Sequence, residues 1–349
     1  MEKIIIGTRA SKLALVQTKI IADGLRQNGF EIDIKEITTT GDRIKTSLAE
    51  SGGKALFVKE LEEALLEKKI DLAVHSLKDV PGFLPKGLTI ACTPKREDAR
   101  DVVIVCGPTD VGAHGRVPLP MLPQGAKLGT SSPRRRIQLQ RLRPDLEIVP
   151  MRGNVDTRLK KLEAGEFDAI VLAAAGLKRL GILESEGHCE DPEKKRRGRS
   201  NLMQTVLSGD RHALRARDDI LNNFHSSQHI VHFEYLETFR FIPAIGQGTL
   251  ALETRENDQA LIRVLQKLFN DEETWIATEA ERALLQAIGG DCHTPVGAYA
   301  RVQGDEILLN AFLAGAKGEK FFSVQKKGKK SKAKELGKEA GEKLIRHLC

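Results

Sequence analysis

The chain has 349 residues, enough for two or three domains of ordinary size. Apolar residues make up 40% and charged residues 30%, as in globular proteins that live in water, and no run of about 18 apolar residues is present to cross a membrane. The net charge of +7 sits in residues 191–217 (eight Lys/Arg against three Asp/Glu) and 317–349 (eleven against four); with only 4% aromatic residues for base stacking, a nucleic-acid partner is not expected.

The N-terminus reads as a strand rather than a secretory leader, so a cytoplasmic location is expected. Helical spacing follows over Ser11–Gln27, with Leu13, Val16, Ile20 and Leu25 available for a buried face. Glu31–Thr38 alternates as a strand, Ala55–Lys68 is an amphipathic helix after the Gly-rich loop Ser51–Gly53, and Ile70–His75 is a short apolar strand. This alternation predicts a mostly parallel sheet covered by helices.

A similar unit restarts near residue 126. Lys127–Thr130 resembles Ile5–Thr8, each is followed by a Ser and a helix, and Phe167–Val171 plays the part of Ile70–Val74. Residues 184–238 are polar, basic in their first half and rich in His, and are expected to be a surface insertion; irregular spacing argues against a metal site there. Thr249–Thr254 reads as a strand. From about residue 270 come the helix Glu273–Ile288, short strands and a Lys-rich terminal helix.

Ligands of open α/β sheets bind beyond the carboxyl ends of the strands, and four polar clusters fall at such ends. They are Gly7–Ser11, His75–Pro81, Gly129–Arg136 and Met151–Arg158. In the third, Ser132 is a plausible N-cap with Pro133 in the first turn, where free N–H groups and the forks of Arg134 and Arg135 suit carboxylates or phosphates. In the fourth, Asn154 is placed to cap a helix flanked by Arg152 and Arg158. These clusters suggest a ligand with several negative groups; solvated basic helix ends are the plain alternative. Asp79 beside Lys78 reads either as an acid for charge or proton work or as a turn residue before Pro81. The five cysteines are scattered, without a CxxC pair, which disfavours disulfides and zinc. Cys292, in the turn Gly289–Pro295, reads as a reactive thiol or a structural one.

In order along the chain, Gly7–Ser11, Gly53–Glu62, His75–Pro81, Gly129–Arg135, Arg152–Val155, Ala174–Leu180, Pro243–Gly248 and Gly290–Pro295 together resemble the porphobilinogen deaminase family. The resemblance implies an α/β fold: two doubly wound domains like those of periplasmic binding proteins, plus a small α/β C-terminal domain. The expected boundaries are 1–105 with 243–265 for the first, 106–242 for the second with its insertion at about 184–238, and 266–349 for the third.

It further implies a transferase of haem biosynthesis. Such an enzyme condenses four porphobilinogen molecules into the linear tetrapyrrole hydroxymethylbilane and releases ammonia. By the family's motif, Cys292 holds a dipyrromethane cofactor through a thioether, and Asp79 is the catalytic carboxylate that stabilises the azafulvenium left by ammonia. Lys78, Asp79, Thr130, Ser132, Arg134, Arg135, Arg152 and Gly153 match cofactor-binding positions. Arg9, Ser11, Lys54, Phe57, Arg152, Arg158, Arg179 and Gln247 match substrate-binding ones. No metal, membrane or nucleic acid is implied, and a monomer is. Two features depart from the family's pattern: Asp291 where a Gly usually precedes the cysteine, and the long insert. A non-catalytic two-domain binding protein for a polycarboxylate shares the architecture but needs neither Asp79 nor Cys292.

Overall fold

The computed structural model describes residues 3–40, 58–107, 119, 122–183, 230–289 and 294–348. These form two five-stranded mixed sheets and one three-stranded antiparallel sheet.

The first sheet begins with β1 (Lys3–Thr8), α1 (Lys12–Gln27), β2 (Glu31–Glu36), α2 (Lys59–Leu66) and β3 (Leu72–Ser76). β2 and β3 both pair with β1 in parallel. β4 (Leu88–Cys92) and the late strand β10 (Leu250–Arg255) complete it, β10 running antiparallel between β3 and β4. The second sheet has β6 (Lys127–Gly129), α3 (Pro133–Leu142), β7 (Glu147–Val149), α4 (Val155–Glu163) and β8 (Ala169–Ala173), which leads into α5 (Ala174–Arg179). β5 (Asp101–Gly107) and β9 (Ile230–Leu236) run antiparallel at its far side.

The strand orders β2-β1-β3-β10-β4 and β7-β6-β8-β5-β9 match slot for slot, with the same directions. The match extends to side chains. Asp71 Oδ2 accepts from Ile5 N at 3.0 Å, and Asp168 Oδ2 accepts from Lys127 N at 2.7 Å. β5 and β10 fill equivalent slots, each formed by chain arriving from the other sheet, so two crossings link the lobes.

In each sheet four of the five strands run the same way, as the alternation predicted, and the one reversed strand is the crossing segment in the fourth slot. Several expectations need correction. Residues 101–105 belong to the second sheet, not the first domain: Val102 and Ile104 enter its core, and Asp101 anchors the strand's start. The insertion ends before residue 230. β9 pairs with β5 over seven positions, Phe233 and Tyr235 pack on the second core, and His232 is buried. The other insert histidines, His188, His212, His225 and His229, lie outside the described residues. On α1 the buried stripe is Ala14, Thr18, Ile21, Ala22 and Leu25, while Ile20 is half exposed. Small residues let the helix sit close to the sheet and turn Leu13 toward α5.

α6 (Gln259–Phe269) covers the first sheet. α7 (Glu272–Ile288) starts on an Asp271 cap, with Oδ1 accepting from Thr274 N at 2.9 Å and Glu272 and Glu273 favouring the positive end of the helix dipole. β11 (Val296–Gln303), β12 (Glu306–Ala314) and β13 (Phe321–Lys329) pack under α7 and α8 (Ala333–Leu348). The two helices touch so closely at Gly337 that a Cβ there would lie 2.0 Å from the Ala280 carbonyl oxygen. Among the described residues no helix is long and apolar enough to cross a membrane.

Candidate active site

A cavity of about 250 Å3 opens between the two lobes, at the carboxyl ends of β1, β3 and β8 and the starts of α1, α4 and α5. Arg9, Ser11, Lys78, Asp79, Arg135, Gly153, Arg158 and Arg179 line it, so eight of the residues singled out in the sequence converge.

Each is set by local structure. Ser11 caps α1, its Oγ accepting from Ala14 N at 3.3 Å. β3 ends in a single 3-10 turn, Leu77–Asp79. Leu77 and Val80 bury themselves against Ala251, and Leu77 N donates to the Thr249 carbonyl at 2.9 Å. With those two residues pinned, Lys78 and Asp79 face the cavity. Asp79 is exposed and has no hydrogen-bond or ion-pair partner among the described residues.

In the second lobe, Ser132 Oγ caps α3 at Arg135 N (3.4 Å) with Pro133 in the first turn. Arg135 donates to Asp101 Oδ1 from Nε (3.0 Å) and Nη2 (2.6 Å), and to the Val171 carbonyl from Nη1 (3.0 Å). Gly153, at φ 115°, reaches a conformation open mainly to glycine, and a Cβ would strike Thr157 at 2.7 Å. Its carbonyl accepts from Arg158 Nε at 2.7 Å. Arg179 Nη2 donates to the Gly248 carbonyl at 2.6 Å, tying α5 to the second crossing.

The cavity holds six cations (Arg9, Lys12, Lys78, Arg135, Arg158, Arg179) and two carboxylates (Asp79, Asp156). Burial lowers the pKa of Lys78 to about 8, with Asp79 pulling the other way. Burial, aided by the charge of Arg135, lowers Arg158 to about 10, and burial lowers Arg179 to about 10. Both arginines remain charged at neutral pH. This excess of positive charge in a partly desolvated groove suits a ligand carrying several carboxylates.

Other expected residues lie behind this wall. Arg134 is buried, 2.8 Å from Asp101 Oδ2 and donating to the Ile242 carbonyl at 2.8 Å. Gln247 donates to the Ala99 carbonyl (2.7 Å) and Asp101 Oδ1 (3.1 Å). Thr130 Oγ1 accepts from Ser132 N, shaping the turn before α3. Arg152 is half-buried beside Gly153 and is not among the lining side chains. Asn154 sits at the N-cap of α4, but its side chain lines the cavity and makes no capping bond. Lys54, Phe57, Asp291 and Cys292 lie outside the described residues.

Sequence reading missed Lys12, Gln17 and Asp101. Gln17 falls one helical turn beyond Leu13, another residue lining the cavity, and donates to Ser76 Oγ at 2.9 Å, so the i, i+4 spacing could have flagged it. Asp101 had no local signal, since its partners lie more than 30 residues away in the chain.

Fold and site together define a two-lobed α/β chain with a cationic cleft, carrying a third small α/β unit against the crossings. The chain belongs to the porphobilinogen deaminase family. The family's model described as the dipyromethane cofactor binding domain matches residues 4–197, and that of its C-terminal domain matches residues 275–346. The porphobilinogen deaminase of Lysinibacillus sphaericus (strain C3-41) is 43% identical over 342 residues, covering 97% of this chain and 92% of the relative. That of Geobacillus sp. (strain WCH70) is 42% identical over 349 residues, covering 99% and 94%. Among solved structures, the Bordetella pertussis BvgS VFT2 domain aligns at 12% identity with a TM-score of 0.40, covering 82% of this chain and 91% of that one.

Proposed function

We infer that the chain is a transferase that condenses four porphobilinogen molecules into hydroxymethylbilane with release of ammonia, in tetrapyrrole biosynthesis. The observation that carries this reading, given the family, is the convergence of six cations around the exposed carboxylate of Asp79. Each porphobilinogen brings two carboxylates, so a growing chain of pyrroles multiplies the anions the cleft must hold.

The residues present fit a dipyrromethane cofactor, whose acetate and propionate arms need donors of this kind. We assign its binding to Lys78, Asp79, Arg135 and Gly153 at the cavity wall, with Thr130, Ser132, Arg134 and Arg152 shaping that wall, and its covalent attachment to Cys292. When bound, dipyrromethane supplies the pyrrole carbon from which the chain of rings is extended. The thiols of Cys92 and Cys106 are both pushed up by burial, that of Cys92 to about 12, which disfavours the reactive thiolate at either.

Asp79 does two jobs. As ammonia leaves the substrate, its carboxylate balances the positive charge that develops on the pyrrole, a contribution that is large where water is excluded. As each new ring regains aromaticity, the same carboxylate takes the proton released and passes it to solvent. Arg9, Ser11, Arg158 and Arg179 orient the carboxylates of the incoming ring, with Lys54 and Phe57 assigned to the same task and Gln247 supporting the wall from behind. The substrate's anions screen the mutual repulsion of these cations.

We propose a cytoplasmic monomer that binds neither nucleic acid nor membrane. Many of the basic residues of the C-terminal unit are already paired: Lys326 with Glu339, Lys327 with Glu306, Lys330 with Asp305, and Lys332 with Glu335. The test of function is direct. Purified protein supplied with porphobilinogen should release one ammonia per porphobilinogen consumed and form a linear tetrapyrrole. Tight binding of porphobilinogen without ammonia would leave only a binding protein.

A further inference from the structure

The face of the first sheet turned toward α2 carries a polar cluster that the reaction above does not use. His75 on β3 opposes Ala251 and Glu253 on β10 opposes Ala73, so His75 and Glu253 are diagonal neighbours on one face. His75 Nε2 lies 2.9 Å from Glu253 Oε2, with the two side chains 3% and 1% exposed. Glu62 projects from α2 and is also buried. Glu253 Oε1 and Glu62 Oε1 are sealed from solvent, and neither has a hydrogen-bond partner among the described residues.

Two open carboxylate oxygens in a dry site are costly, and a proton is the simplest way to satisfy them. Burial first, and then the charge of Glu253, raise Glu62 to about 7; His75 pulls in the opposite direction and the neighbouring Glu63 adds slightly to the rise. The other strands packed on α2, β1 and β4, bring the apolar Ile5 and Leu88. From the third unit, Arg282 of α7 is the cation that feels Glu253.

We propose that Glu62, Glu253 and His75 form a proton-holding positioning unit beneath the Lys78–Asp79 turn, in which the Glu62 carboxyl carries a proton while the turn is held in place. The proposal rests on the role given to Asp79 above. None of the three side chains lines the cavity, so they act through the backbone. Glu253 fixes His75, and the next two residues are anchored in turn, Ser76 to Gln17 and Leu77 N to the Thr249 carbonyl. Lys78 and Asp79 follow at once. Ionising Glu62 places a second buried negative charge beside Glu253 and works against the β3–β10 pairing that aims the turn.

The sign follows from the raised pKa. The unit's stabilisation is complete below the ordinary carboxylate range and is lost as pH rises through about 7. The experiment compares wild type with Glu62→Gln, which is permanently neutral, in both Tm and kcat from about pH 6 to about pH 8. The difference in Tm between variant and wild type should grow in the variant's favour across that window. The ratio of variant to wild-type kcat should rise at least about threefold with a midpoint near the same pH, while the KM ratio stays constant. Parallel profiles for the two proteins would overturn the proposal. Should Glu62→Gln fail to fold, infrared spectra of wild type decide: a buried protonated-carboxyl band present at the acid end and lost at the alkaline end supports the unit, and its absence at the acid end overturns it. The Tm and infrared readouts do not need turnover, so failure of the functional reading would show separately, as no ammonia release at any pH.

Discussion

Asp101 and Arg135 form a buried pair, with Arg135 Nη2 2.6 Å and Nε 3.0 Å from Asp101 Oδ1, at the point where the chain first enters the second sheet. One carboxylate thus fastens the crossing strand β5, holds Arg135 at the cavity wall, and also gathers Arg134 and Gln247.

Replacing Asp101 with Asn should be severe. Two buried guanidinium groups would lose their counter-charge, at a cost of about 3–5 kcal/mol. Calorimetry should show a markedly lower Tm, and kcat/KM should fall at least about tenfold as Arg135 loses its aim. Burial alone would raise the Asp101 carboxyl, but Arg134 and Arg135 outweigh it and hold the pKa near 2. Its stabilising effect is therefore present above the ordinary carboxylate pKa and is lost as pH falls toward 2. Between about pH 4 and pH 2 the Asn variant should lose less stability than wild type. An unchanged Tm at neutral pH would remove Asp101 from this role.

Lys78 gives a second pH signature at the opposite end. Burial lowers its pKa to about 8, so its charge is present below that value and lost above it. Turnover (kcat) should fall as pH passes about 8 and Lys78 loosens its hold on the cofactor's carboxylates, and Lys78→Arg, charged throughout, should flatten the fall. Equal slopes in both proteins would exclude Lys78 as an anion contact.

Arg158 and Arg179 offer a test that separates binding from folding. Both are largely desolvated at the cavity, each with a backbone carbonyl as its described acceptor (Gly153 and Gly248). Alanine at either site should raise KM about tenfold or more, as expected for a lost hydrogen bond to a charged group. Lysine should restore charge but not the planar fork, giving only partial recovery. Steady-state kinetics with matched Tm values checks this.

Much of this was legible in the chain itself. Polar clusters at strand ends pointed to Arg9, Lys78, Asp79, Arg135 and Arg158, and the family's motif added Arg179; all six line the cavity. Other features were hidden for physical reasons. The alternation of Phe233 and Tyr235 in β9 is submerged in a polar, His-rich stretch, so the strand passed for insertion. β5 begins at Asp101 because of arginines more than 30 residues ahead, and no local pattern reports such a partner. On α1, apolar spacing picked Ile20, whereas contact with the sheet favours Ala14, Thr18 and Ala22, whose small side chains permit a closer approach.

Asp79→Ala should fold normally, because the side chain is exposed and without a described partner. Turnover should drop at least about a hundredfold, in the range expected for losing general acid–base and electrostatic help together. Cofactor attachment should survive in the variant. Near wild-type ammonia release would remove Asp79 from the reaction.

Intact-protein mass spectrometry tests the central claim most directly, that a thiol tethers an oligopyrrole in the cationic cleft. The wild-type chain should carry the added mass of two linked pyrroles, and Cys292→Ser should carry none and be inactive. An unmodified wild-type chain with full activity, or an adduct that persists in Cys292→Ser, would contradict the account.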